Sequence, residues 1–271
     1  MRGCGEPLAR AGATWSCERG HTFDPSRSGY LNLLQPQDRK SKHPGDSKAA
    51  AAARRRLSDA GLENAMRDEV LREYDSLPSG EERRRAVLDV GCGEGFLLGS
   101  LAGSRALEAH GIDISALAID LAAKRYPGAT WIVGNADRGL PWRDGSFDLV
   151  LSVTARRNGP EMRRVLRASG RVLVAVPGPD DLAELRKALL GKATERDRGA
   201  SAAEELAPDL ELLSRRTVRT SARLSAAQIQ DLLTATYRGG RLREAERGAG
   251  IGDLAVTISR ELLVFRAGAP A

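Results

Sequence analysis

Aromatic side chains are scarce, with four Phe, four Tyr and three Trp among 271 residues. Pockets for small organic substrates are usually lined by aromatic and apolar groups, so this shortage counts against a chain devoted to a small-molecule acceptor. Only three cysteines are present, too few for a disulfide framework. No stretch approaches the roughly 18 to 20 apolar residues of a membrane-spanning helix, which excludes that kind of membrane partner. The first residues, Met1-Arg-Gly-Cys-Gly-Glu6, lack the apolar run of a secretory signal. A cytoplasmic protein is the expectation.

What remains is enough for a globular core: 41% of the residues are hydrophobic, and the length suits one large domain or one domain with a small module. The net charge is +6, and residues 1–60 carry 11 Lys/Arg against 6 Asp/Glu. Nearly all of the excess therefore sits ahead of the main domain. Such a stripe suits a polyanion such as RNA, although a solvated, Arg-rich surface would have the same composition.

Three segments follow from the pattern along the chain. Residues 1–35 read as a loop-rich unit around Cys4, Cys17 and His21. Residues 36–76 begin with a polar, breaker-rich connection in which Pro44-Gly45 makes a turn. Ser47 then caps a helix through the alanines and Arg54–Arg56, and a second helix covers 62–76. In residues 77–271 strands and helices alternate. Strands are predicted at 86–90, 109–113, 130–133, 147–152, 170–176 and 262–266. Helices are predicted at 96–101, 115–126, 161–166 and 225–236, with 191–209 a loop or mobile helix. Alternation of this length implies an α/β fold with a parallel sheet covered on both faces.

The strongest chemical signal is Val87-Leu-Asp-Val-Gly-Cys-Gly-Glu-Gly95. A strand that ends in Gly91-x-Gly93-x-Gly95 turns tightly, and the missing side chains let a ligand approach the backbone. Helix N–H groups beyond the turn face that ligand. Asp89, at the carboxyl end of the strand, can hold the ammonium of an amino-acid-like cofactor, whereas it would repel a pyrophosphate. Asp113 ends the next strand, 22 residues after Gly91, about where an acidic side chain accepts both ribose hydroxyls. These features favour S-adenosylmethionine (SAM) over NAD, whose sites prefer Gly-x-Gly-x-x-Gly. In Gly134-Asn135-Ala136-Asp137, Asn135 or Asp137 can accept from an adenine amino group while the Ala136 N–H donates to the ring. As alternatives, Asp113 and Asp137 can be helix caps. Cys92 reads as a small loop residue, with no nearby histidine in sequence to activate it. The pattern looks like a Rossmann-like class I SAM-dependent methyltransferase domain.

Cys4, Cys17 and His21 form a Cys-x12-Cys-x3-His arrangement with Gly5 and Gly20 at the knuckle positions. A structural zinc site takes four ligands, and three are visible. The run Cys17-Glu-Arg-Gly-His21-Thr-Phe-Asp-Pro-Ser-Arg-Ser-Gly-Tyr-Leu-Asn-Leu-Leu34, followed by Pro44-Gly-Asp-Ser47 and Ala53-Arg-Arg-Arg-Leu57, resembles the RlmA-type 23S rRNA (guanine-N1) methyltransferases. The resemblance continues through 87–95, Ala123-Lys-Arg-Tyr-Pro127 and Pro177-Gly-Pro179, and fades after residue 190. It implies a small N-terminal zinc-ribbon-like module that helps engage an rRNA hairpin, and a SAM domain that methylates N1 of a guanine.

By position, Cys4, Cys17 and His21 match three zinc ligands and Met1 occupies the fourth. Gly93 and Glu94 match family cofactor contacts. The implied partner is RNA, a 23S rRNA hairpin, with no membrane; a homodimer is compatible with this. Other positions depart from the family. A cofactor-contacting tyrosine falls at Glu63 and a histidine at Asp181. The aromatic-Ala-Pro segment after the fourth strand reads Thr154-Ala-Arg-Arg-Asn-Gly-Pro160. Thr154, Arg156, Arg157 and Asn158 follow that strand on the acceptor side, and the two arginines can bind phosphate, stack on a base, or be solvated loop charges. Arg39, Lys40, Lys42, His43 and Arg54–Arg56 are the expected RNA-backbone contacts. The competing readings are a small-molecule methyltransferase and a non-catalytic RNA-binding protein with a relict SAM fold.

Overall fold

The computed structural model describes residues 4, 6–38, 45–78, 83–191, 196–236 and 250–268. Of the expected RNA contacts, Arg39, Lys40, Lys42 and His43 lie outside these residues. The chain opens with a three-stranded antiparallel sheet of β1 (Ala9–Ala11), β2 (Thr14–Ser16) and β3 (Thr22–Phe23). It then leaves this unit. The next strand, β4 (Leu31–Asn32), pairs in parallel at the edge of the large sheet, with Leu31 opposite Ile132 and Asn32 opposite Val133. Leu34 is buried in the main core. The segment 1–35 thus contributes its last residues to the large sheet.

Two helices precede the alternating region, α1 (Lys48–Asp59) and α2 (Asn64–Asp75). Ser47 caps α1, its hydroxyl accepting from the Ala50 N–H at 3.1 Å. There follow β5 (Arg85–Val90), α3 (Phe96–Ser104), β6 (Leu107–Asp113), α4 (Ala116–Arg125), β7 (Thr130–Val133), β8 (Phe147–Val153), α5 (Gly159–Val165) and β9 (Leu166–Pro177). The last part comprises α6 (Ala183–Leu190), α7 (Arg198–Leu206), β10 (Leu210–Leu224), α8 (Ala226–Thr236) and β11 (Leu254–Ala267). Within the segment expected as a loop or mobile helix, α7 is a capped helix. The Asp197 carboxylate accepts from the Ala200 N–H, and Ala202 and Leu206 are buried.

The large sheet has the order β10-β11-β9-β8-β5-β6-β7-β4. Strands β4 through β9 run parallel, while β11 is antiparallel to both β9 and β10. The chain winds from β5 outward to β7, then crosses back to lay β8 on the other side of β5. This reversal opens a crevice at the carboxyl ends of β5 and β8, where open α/β sheets bind ligands.

Strand alternation sorts the core into two layers. Val87, Leu149, Leu151 and Leu173 face one layer with α2, α3 and α4, while Leu88, Val90, Val172 and Val174 face the other with α5 and α7. A third cluster joins Ala53 and Leu57 of α1 to Ile229 and Leu233 of α8 and to Leu224 and Val256 at one end of the β10–β11 pair. The N-terminal helix is therefore fixed to the C-terminal part of the domain.

Helix α3 shows how tightly its layer is filled. A Cβ on Gly99 would stand 2.5 Å from the Tyr126 ring, whereas one on Gly103 meets nothing within 4 Å. Alanine improves helix propensity at both sites by about 1 kcal/mol, but overpacking costs about 1–3 kcal/mol. In urea unfolding, Gly99→Ala is expected to destabilise the protein and Gly103→Ala to stabilise it slightly.

Candidate functional site

The crevice is a cavity of about 400 Å³ whose floor is the glycine loop and whose roof comes from α1 and the start of α2. Gly91 has φ +76°, and a Cβ there would lie 2.4 Å from that of Ala155 in the loop after β8. Gly93 has φ +56°. The N–H groups of Gly91 and Cys92 both donate to the Ile112 carbonyl, which closes the turn onto β6. Asp113, at the end of β6, fastens the turn from the other side. One of its carboxylate oxygens accepts from the Gly93 N–H at 3.1 Å and the other from the Ser115 N–H at 2.8 Å.

Asp89, Gly91, Gly93, Glu94, Asp113, Asn135 and Ala136 all line this cavity; Gly95 does not. With φ +81°, Gly95 turns the chain into α3, and a Cβ there would strike Trp131. Apart from position 63, the sequence did not mark the roof. Gly45, Asp46 and Ser58 also line the cavity, together with Arg54 and Glu63. The segment 45–46 lies directly on the start of α4, where the Ser115 hydroxyl donates to the Asp46 carbonyl at 3.1 Å. The capped helix after Pro44-Gly45 was the available signal, since a helix ahead of the first core strand has to pack somewhere on the sheet.

The electrostatics of the cavity are lopsided. Asp46, Glu63, Asp89, Glu94, Asp113 and Asp137 line it, against Arg54 and Arg156. Glu94 is buried and accepts from the Ser58 hydroxyl at 3.4 Å; burial raises its pKa. Asp89 is 3% exposed and has no hydrogen-bond donor or ion-pair partner among the described residues. Burial first, then the nearby Asp113 and Glu94 charges, push its pKa up to about 7. A buried carboxylate in this state calls for a cationic ligand. Burial also raises the Cys92 thiol well above its ordinary range, so it is an unreactive small residue.

The loop after β8 contributes Val153, Thr154, Ala155 and Arg156 to the cavity. Thr154 is held at φ +52°, a strained conformation for a β-branched residue. Arg156 makes no ion pair among the described residues, whereas Arg157 is bound to Glu205. Asn158 caps α5 and donates to the Ala136 carbonyl at 2.9 Å, tying this loop to the one after β7.

One sequence expectation is corrected, and one departure from the family pattern is placed. The run Arg54–Arg56 is not a free RNA-binding stripe: Arg54 points into the cavity, Arg55 pairs with Asp59 and Arg56 pairs with Asp231. Successive residues on a helix point about 100° apart, so three adjacent arginines cannot share one face. Asp181 does not line the cavity; it accepts from the Ser259 N–H and from Arg260. Glu63 does line it.

A second cluster lies in the small N-terminal sheet. The Cys4 and Cys17 sulfurs are 3.8 Å apart, and His21 Nδ1 is 3.3 Å from the Cys17 sulfur. Tetrahedral zinc with its usual bond lengths sets sulfurs about 3.8 Å apart and sulfur and nitrogen about 3.5 Å apart, so the three donors fit that ion. Gly20, at φ +78°, makes the turn between Cys17 and His21. Burial would raise the Cys17 thiol, but hydrogen bonds with His21, the Arg19 backbone and Cys4 together outweigh it and bring the pKa down to about 7, towards the thiolate that a metal needs.

Comparison with known proteins agrees with both sites. The family model described as RlmA, N-terminal matches residues 4–42, and the one described as methyltransferase domain matches residues 87–175. A 23S rRNA (guanine(748)-N(1))-methyltransferase of Streptomyces fradiae is 39% identical over 82% of this chain and 78% of its own. The chain belongs to the RlmA-type 23S rRNA (guanine-N1) methyltransferase family. YxjB of Bacillus subtilis, named for the same rRNA guanine-N1 class, is 34% identical over 73% of this chain and 70% of its own.

Among solved structures, the partner of the Haloferax volcanii Trm112 methyltransferase activator superposes with TM-score 0.51 at 21% identity, covering 82% of this chain and 98% of that one. The [4+2]-cyclase SpnF superposes with TM-score 0.50 at 18% identity, covering 74% of this chain and 80% of that one. These likenesses concern the fold; the cyclase among them shows that the fold alone does not fix the reaction. No helix among the described residues is long and apolar enough to cross a membrane.

The state of Asp89 has a measurable consequence. An aspartate in the unfolded chain titrates near 4, so the native state, titrating near 7, binds the proton more tightly. That stabilisation is complete below pH 4 and is lost as the pH rises through about 7. Asp89→Asn is expected to stabilise the ligand-free protein by about 2–4 kcal/mol at pH 8, with little difference at pH 4. Thermal unfolding at the two pH values checks this, and an equal effect at both would contradict it.

Proposed function

We propose that this chain transfers a methyl group from SAM to N1 of a guanine in 23S rRNA, with the base drawn from a hairpin. The observation that carries the reading is the Asp89 carboxylate beside the glycine loop, buried and without a partner among the described residues, in a chain whose N-terminal donors and relatives named as rRNA methyltransferases point the same way. SAM, when bound, supplies a methyl group made electrophilic by its sulfonium.

The remaining work falls to residues of the chain. Asp89 accepts from the ammonium, and Asp113 retains lone pairs for ribose hydroxyls beyond the two backbone donors it already serves. Asn135 and the Ala136 N–H meet the adenine edge. Gly91, Gly93, Glu94 and Gly95 shape the turn that admits the amino-acid end. Transfer of this kind depends on alignment and exclusion of water, and the roof of Arg54, Ser58 and Glu63 covers the cleft on that side. On the acceptor side, the unpaired Arg156 is available to stack on a base or hold its phosphate. A base reaches such a cleft only out of its stack, which favours a loop over a regular duplex.

Cys4, Cys17 and His21 would hold zinc and give the small sheet a rigid surface for RNA. An enzyme of this class works in the cytoplasm, beside its RNA.

The test incubates the full chain with labelled SAM and unmodified 23S rRNA, then digests the RNA and identifies methylated nucleosides by mass spectrometry. 1-Methylguanosine at a single position is the expected product. Cys17→Ser is expected to reduce transfer at least about tenfold while leaving SAM affinity within about twofold, since the cluster lies outside the cleft. Methylation at another atom, or transfer only to small molecules, would overturn the reading.

A further inference from the structure

Arg54 is a cation with unused capacity inside an acidic cleft. Its guanidinium enters from α1 and faces the glycine loop, with Nη1 3.5 Å from where a Cβ on Gly93 would stand. Nη1 donates to an Asp46 carboxylate oxygen and Nη2 to the Ala235 carbonyl of α8 at 3.1 Å. A guanidinium carries five N–H donors in a rigid fork. These two acceptors are all it has among the described residues, so three donors remain. Its side chain is 35% exposed, open towards the cavity it lines.

The amino-acid end of SAM carries a carboxylate on the same carbon as the ammonium. That carboxylate has to enter a cavity lined by six carboxylates, a repulsive setting unless a cation meets it. Among the described residues, two cations line the cavity. Arg156 stands on the loop after β8, whereas Arg54 stands over the glycine loop that leads out of Asp89. We infer that Arg54 binds the carboxylate of the amino-acid end of SAM through its remaining donors, as the counterpart of Asp89 on the ammonium. The inference rests on the SAM reading of the cleft and adds the group that selects a complete amino-acid end. Because the same guanidinium holds Asp46 and Ala235, donor binding also engages the contact between α1 and α8.

Calorimetry with SAM and with decarboxylated SAM, which keeps the amine and lacks the carboxylate, tests this on the full chain. The wild-type protein is expected to favour SAM by about tenfold or more, although the acidic cleft by itself would favour the decarboxylated, more cationic ligand. Arg54→Gln is expected to lose that preference, and Arg54→Lys, which keeps the charge without the fork, to retain part of it. A merely structural role for Arg54 would weaken both ligands together and leave their ratio intact. Should Arg54→Gln fail to fold, Arg54→Lys carries the test through the same ratio, and there an unchanged ratio counts against the inference. Unchanged preference in Arg54→Gln, or no preference in the wild type, overturns the inference while the SAM reading stands. Binding of neither ligand by the wild type overturns both.

Discussion

A carboxylate at the carboxyl end of the central strand has been taken out of water and given no partner among the described residues. Everything around Asp89 follows from that placement. The strand must end in residues without side chains, because a turn that lets a ligand reach the carboxylate leaves no room for a Cβ against Ala155. The neighbouring strand must supply acceptors for the turn's own N–H groups, which the Ile112 carbonyl does for Gly91 and Cys92 and the Asp113 carboxylate for Gly93. The cost of burying an unpaired charge is large, and the protein meets it in the ligand-free state by letting the group take up a proton near neutrality. A cationic ligand removes that need. The site thus favours positive charge, at the point where the strand order reverses.

The roof over this cavity is built from the chain's N-terminal part and is anchored at its C-terminal part. Helix α1 packs on α8 through Ala53, Leu57, Ile229 and Leu233, and the segment before it rests on the start of α4 through Ser115. The small zinc-ribbon-like sheet precedes this roof directly in sequence. Its following strand, β4, is hydrogen-bonded beside β7, whose own carboxyl end leads into Asn135 and Ala136. The chain leaving the small sheet is therefore joined to the large sheet next to the strand that leads into Asn135 and Ala136.

Much of this was legible in the sequence, for physical reasons. Strands β5, β7 and β8 are buried over nearly their whole length and read as short, largely apolar runs. Cys17 and His21 are close in sequence, so the turn between them needed only Gly20. Strand β10 was not legible. It is an edge strand, exposed along most of its length, and Ser214-Arg-Arg-Thr-Val-Arg-Thr-Ser221 carries no period-two alternation. Two-residue β4 was too short to signal. Arg54–Arg56 looked like one patch because composition is blind to direction around a helix; only the fold shows one arginine in the cleft and two in surface ion pairs. Asp181 and Glu63 were both marked as departures from the family pattern, and nothing local in sequence distinguished the residue that ties α6 to β11 from the one that lines the cavity.

Proton release on SAM binding is the sharpest measure of whether Asp89 is a buried acid that pairs with a cation. Calorimetry at pH 6 in buffers of different ionisation enthalpy measures it. An aspartate that titrates near 7 without ligand is mostly protonated at pH 6 and must give up its proton to pair with an ammonium. Release of close to one proton per SAM, abolished by Asp89→Asn, is the predicted result. Binding with no proton release, or with a release that Asp89→Asn leaves unchanged, would contradict the account.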